Sequence, residues 1–119
     1  MSIFNLKNSE PLGSGLTIDN NGIIDLEVLS KLKGYRKTVV AGYRALLLDD
    51  INSNLTAGEM HISPKIDGEL WFMIIENNEA VLSNTNGKLI AGDIPLLSEV
   101  NKISSRFNGR SILVGELFV

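Results

Sequence analysis

The sequence predicts an α+β fold, a mainly antiparallel sheet with two or three packed helices. Three observations carry that expectation. Leu70 to Ile75 and then Ala80-Val81-Leu82 are apolar runs set apart by the turn dipeptides Asn77-Asn78 and Asn86-Gly87, the pattern of a β-meander. Leu96, Leu97, Val100, Ile103 and Phe107 recur at helical spacing behind Pro95, a residue tolerated in a first turn, and Asn108-Gly109 closes that run. Residues 111 to 119 form a nearly continuous apolar stretch, interrupted by Gly115 and Glu116, that reads as a buried strand.

The remaining elements follow in chain order. Residues 1 to 22 are rich in Gly, Asn and Ser, with Gly13-Ser14-Gly15 and Asn20-Asn21-Gly22 as turn signals, and read as a lead-in holding at most one short strand. Asp25 is a good N-cap for a short helix through Leu26, Leu29 and Leu32, with Ile24 and Leu29 spaced as a hydrophobic staple and Gly34 as the stop. From Thr38 to Leu48, β-branched residues give way to helix formers; the expectation is a helix over 40 to 50, followed by a loop at Asn52-Ser53-Asn54 and Ala57-Gly58. Pro64 restricts Ser63 to an extended conformation, so the chain is expected to enter Lys65 as strand. The helix after Pro95 should cross back over the sheet.

A chain of 119 residues suits one domain, 1–119, with a real core. With 44% hydrophobic and 21% charged residues it has the composition of a folded protein rather than a disordered one. It contains no cysteine and one histidine, His61, which excludes disulfides and thiolate or histidine-rich metal sites and leaves oxygen as the ligand for any metal. No stretch has the length of a membrane span and no signal peptide opens the chain, so the expected location is cytoplasmic, with no membrane partner. The net charge of −3 gives no whole-chain attraction for nucleic acid. The one basic cluster, Lys31, Lys33, Arg36 and Lys37, reads as a solvated helix surface.

Chemistry concentrates at Lys65-Ile66-Asp67-Gly68: an amine nucleophile, a nearby carboxylate, and a glycine that permits close backbone approach. Lys65, Asp67 and Gly68 match the Lys-x-Asp-Gly signature of the covalent nucleotidyltransferases, and this chain resembles that superfamily of ATP-dependent DNA and RNA ligases and mRNA capping enzymes. Gly115-Glu116-Leu117 is similar to the family's Gly-Glu-Leu motif, in which the glutamate lies near nucleotide and metal. The resemblance covers residues 60 to 119. The chain departs from it at Leu70 and in Ser83-Asn84-Thr85-Asn86-Gly87, where ligases often carry arginines, and at Ser63, where they commonly carry a glutamate beside the adenine.

The resemblance implies a ligase-type adenylation subdomain. Lys65 would be the catalytic nucleophile, accepting AMP from ATP and passing it to a nucleic-acid 5′-phosphate on DNA or RNA. Ser63, Asp67, Gly68 and Glu116 would contact the nucleotide, with Glu116 also a ligand for Mg²⁺ through its hard oxygens. The family's later glutamate and lysine strands have no counterpart in the sequence, and the run 111 to 119 ends without a polar tail, so the expectation is a front part of such a domain, truncated and inactive alone. A reading of another class is a non-enzymatic α+β binding or assembly module in which Asp67-Gly68 is only a turn.

Overall fold

A computed structural model describes residues 3–55 and 57–118; Val119, the end of the expected last strand, lies outside them. The molecule is α+β, with one antiparallel sheet of six strands in the order β1-β2-β5-β4-β3-β6. The strands are β1 (Glu10–Leu12), β2 (Gly15–Ile18), β3 (Glu69–Glu76), β4 (Glu79–Ser83), β5 (Leu89–Gly92) and β6 (Ser111–Leu117). The helices are α1 (Leu26–Val40), the single turn α2 (Ile51–Asn54) and α3 (Pro95–Asn101).

Strands β3, β4 and β5 form the expected meander. The first turn uses Asn77 and Asn78 at φ of 52° and 62°, the left-handed conformation that asparagine tolerates and that a tight hairpin requires. At the second turn the Asn84 carboxamide oxygen accepts the backbone N–H groups of Asn86 and Lys88 at 2.9 and 3.0 Å. The lead-in is more ordered than its composition suggests. Its strands β1 and β2 form a hairpin, and β2 pairs with β5, placing Ile18 opposite Leu89. Pairing across more than 70 residues rests on side-chain burial, which a Gly- and Asn-rich local sequence does not reveal.

Alternation along the strands sends apolar side chains to both faces, and each face has its helix. Val28 and Leu32 of α1 pack with Ile18, Phe72, Ile74, Val81, Leu89 and Ala91. Leu97 of α3 packs with Trp71, Ile75, Ala80 and Leu82 on the opposite face. Each of the Val, Leu, Ile and Phe side chains among these contributes about 1.5–3 kcal/mol by leaving water.

The Asp25 carboxylate caps α1, accepting N–H bonds from Glu27 and Val28 at 3.0 and 3.1 Å. The helix does not stop at Gly34, as the sequence reading expected. Tyr35 and Val39 extend the apolar stripe of Val28 and Leu32, and the packing of Tyr35 on the core outweighs the cost of one helical glycine, about 1 kcal/mol. The expected helix over 40 to 50 is absent. Instead α1 ends at Val40, and a 3₁₀ turn at Leu48–Asp50 leads into α2. None of the residues in that 3₁₀ turn or in α2 is buried, so nothing converts the helix propensity of Ala45 to Leu48 into a packed element. No helix among the described residues is long and apolar enough to cross a membrane.

Candidate functional site

The sequence-predicted residues fall on two segments that meet at one end of the sheet. Strand β3 begins immediately after Gly68, and β6 carries Gly115-Glu116-Leu117. The two pair antiparallel, with Glu69 opposite Leu117, Leu70 opposite Glu116 and Trp71 opposite Gly115. Motifs separated by nearly 50 residues of sequence thus share one strand pair. Gly68 is where they touch most closely: a Cβ built on it would lie 2.6 Å from the Leu117 carbonyl oxygen. The close backbone approach expected of this glycine is therefore an approach to the neighbouring strand.

Two expectations about this site need correction. Lys65 is not delivered by a strand: residues 59 to 68 form no regular element, and every residue from 59 to 69 is exposed. Pro64 fixes its predecessor's conformation but supplies no strand partner. Nor is Glu116 a buried carboxylate. Among the described residues β6 pairs only with β3, so it is an edge strand, and Glu116 is exposed, needing no compensating charge. An apolar run reads the same whether a strand is central or at an edge; the number of neighbouring strands decides burial.

Ser63, Lys65 and Asp67 are solvent-exposed, and their side chains make no hydrogen bond or ion pair with described residues. Three residues of extended chain span at most about 11 Å, so the Lys65 backbone lies within that distance of Gly68, the residue just before the Glu69–Leu117 pair. Glu116 projects on the α1 face of the sheet with Leu70, as their register requires. Among the described residues no group of three or more His, Asp or Glu side chains gathers as a metal cage. Glu116 alone does fit Mg²⁺ in the mode in which one carboxylate and substrate phosphates hold the ion.

Neighbouring residues have structural duties. Trp71 is buried, its indole N–H donating to a Glu69 carboxylate oxygen at 3.1 Å. Ser83 is buried, and its hydroxyl donates to the Asn84 carbonyl at 3.0 Å. Arg110 stands within 3.1 Å of Asp25 and 3.0 Å of Glu76, tying the cap of α1 to the end of β3. The N–H of Val28 holds the Asp25 carboxyl below its usual range, and the Arg110 charge adds to that against a partial opposing effect of burial. Sequence reading missed this clamp, since Asp25, Glu76 and Arg110 carry no local motif.

No protein-family model matches this chain, and neither a curated protein nor a solved structure matches it.

Proposed function

We propose that this chain contributes the nucleophile-bearing part of a polynucleotide-ligase type adenylation domain, with Lys65 as the residue that accepts AMP. The observation that carries the reading is the β3–β6 pairing, which brings the end of Lys65-Ile66-Asp67-Gly68 against Gly115-Glu116-Leu117. Two short motifs nearly 50 residues apart in sequence meet there.

In this reading the neutral Lys65 amine attacks the α-phosphorus of ATP. A P–N bond forms, the bond to the leaving pyrophosphate breaks, and the amine proton passes to solvent. A 5′-phosphate oxygen of DNA or RNA then attacks the same phosphorus and releases the lysine. Lysine amines are made neutral by desolvation or a nearby cation, so an exposed Lys65 requires the bound nucleotide to cover it. Asp67 and Ser63 lie within reach to orient ribose and base, and Glu116 supplies a hard oxygen for Mg²⁺. That ion, when bound, neutralises charge on the departing pyrophosphate.

The test uses protein expressed from its whole reading frame, incubated with Mg²⁺ and ATP labelled at the α-phosphate. Covalent label that is lost on mild acid treatment, as a P–N bond requires, and is absent in Lys65→Ala is expected. Label that survives Lys65→Ala, or no label in the wild type, overturns the proposal.

A further inference from the structure

The chain contains three Asn-Gly pairs, Asn21-Gly22, Asn86-Gly87 and Asn108-Gly109. This dipeptide carries a reaction of its own. The backbone nitrogen that follows an asparagine attacks the side-chain amide carbon, and glycine, having no Cβ to crowd the approach, leaves the path open. Asparagine therefore counts among the thermolabile residues. A given pair reacts when the glycine nitrogen is free of hydrogen bonds and its peptide has room to turn.

The fold holds two of the three pairs shut. Gly87 is buried, and its N–H donates to the Asn84 carbonyl at 3.2 Å, inside the turn that the Asn84 carboxamide ties through Asn86 and Lys88. Gly22 is also buried: a Cβ on it would stand 2.7 Å from the Leu89 Cβ, and its carbonyl accepts the Asn5 N–H at 2.8 Å. Asn108-Gly109 differs in each respect. Both residues are exposed, on the irregular link between the 3₁₀ turn Ser104–Arg106 and β6. The Asn108 side chain and the Gly109 N–H bond to no described residue, and a Cβ on Gly109 would meet nothing within 4 Å.

We propose that Asn108 is a site of spontaneous deamidation and that the neighbouring Arg110 clamp registers it. The Gly109 nitrogen gives up its proton and attacks the Asn108 Cγ. A cyclic succinimide closes as the Cγ–Nδ2 bond breaks, and the departing amide nitrogen takes up a proton to leave as ammonia. Water then adds to either ring carbonyl and opens the ring, giving aspartate or isoaspartate. Either product puts a new carboxylate near Arg110 in the chain, where it competes with Asp25, the cap of α1, and with Glu76 at the end of β3 for the guanidinium. Isoaspartate also lengthens the main chain by a methylene just ahead of the Ser111–Ile75 pair that opens the β3–β6 ladder.

Protein from the whole reading frame is held at mildly alkaline pH and physiological temperature, folded in one arm and unfolded in guanidinium chloride in the other. Peptide mapping by mass spectrometry then gives the rate at each asparagine, with aspartate and isoaspartate separated by chromatography. Asn108 should react folded at close to its unfolded rate. Asn21 and Asn86 should slow at least about tenfold on folding, because the burial and hydrogen bonds around their glycines must open first. An unreactive Asn108, or one protected by folding as much as Asn21 and Asn86 are, overturns the assignment. Hydrogen exchange reads the clamp. The amides of Glu27 and Val28, which the Asp25 carboxylate accepts, should exchange faster in the deamidated protein than in fresh protein. Asn108→Gln, at an exposed position and slow to cyclise, should keep its original exchange through the same incubation. Unchanged exchange at Glu27 and Val28 after conversion, or an equal rise in Asn108→Gln, would overturn the link to Arg110.

Discussion

Replacing Gly68 by alanine probes the junction on which the account of the site rests. The added Cβ would stand 2.6 Å from the Leu117 carbonyl oxygen, 3.1 Å from its carbon and 3.3 Å from the Phe118 Cβ. Carbon and oxygen approach to about 3.3 Å even in weak hydrogen-bonded contacts, so the strands must part by roughly 0.7 Å. Two of the three obstructing atoms are backbone and have no rotamer to change. Overpacking of this kind costs about 1–3 kcal/mol. Alanine restricts the unfolded chain and returns about 0.4–1 kcal/mol. The balance is a loss of about 1–2 kcal/mol, or a fall in Tm of about 4–8 °C for a domain of this size.

Gly115 in the facing motif is the control, because a Cβ there meets nothing within 4 Å and the residue is exposed. Gly115→Ala should therefore raise Tm by about 2–4 °C, through the entropy effect alone. Thermal unfolding followed by circular dichroism reads both variants. Native-state hydrogen exchange should locate the Gly68→Ala loss at the Glu69–Leu117 end of β3 and β6. Shifts of the same sign in the two variants would refute the close approach of Gly68 to β6.

Other outcomes follow from the packing and the cap. Leu97→Ala removes a fully buried side chain beneath α3 and should cost about 2–5 kcal/mol in denaturant unfolding. Gly34→Ala, inside α1 with open space around its Cβ, should stabilise by about 1 kcal/mol; destabilisation would mean that α1 does not continue to Val40. The Asp25 carboxyl is held below its ordinary 3.8, so the folded state binds this proton more weakly than the unfolded state. Its contribution is therefore complete above the unfolded value and lost as pH falls through the lower folded one. Asp25→Asn keeps a capping oxygen but cannot titrate, so Tm should decline less steeply between about pH 5 and pH 2 than in the wild type. Equal acid slopes would show that Asp25 carries no such linkage.

Local chemistry was the legible part of this fold. Asp25 as a cap, the Asn77-Asn78 hairpin and Pro95 in a first turn are set by residues within a few positions of one another, and each stands where the sequence indicates. What was hidden depends on distant partners. Gly34 would end an isolated helix, but Tyr35 finds Phe72 on the sheet and α1 runs on. Ala45 to Leu48 have helix propensity and no surface to pack on. The lead-in becomes sheet only because β2 finds β5. At the site, residue types and their spacing suggested Lys65 and Glu116, but neither the exposure of Glu116 nor the irregular path into Lys65 was visible.

The most direct measurement is the identity of the residue that carries AMP. Protein from the whole reading frame, treated with ATP and Mg²⁺, is digested at neutral or basic pH and its peptides are sequenced by mass spectrometry. The account predicts one AMP on the lysine of Ile62-Ser63-Pro64-Lys65-Ile66-Asp67 and none after Lys65→Ala. AMP on another residue, or none on the wild-type protein, would contradict it.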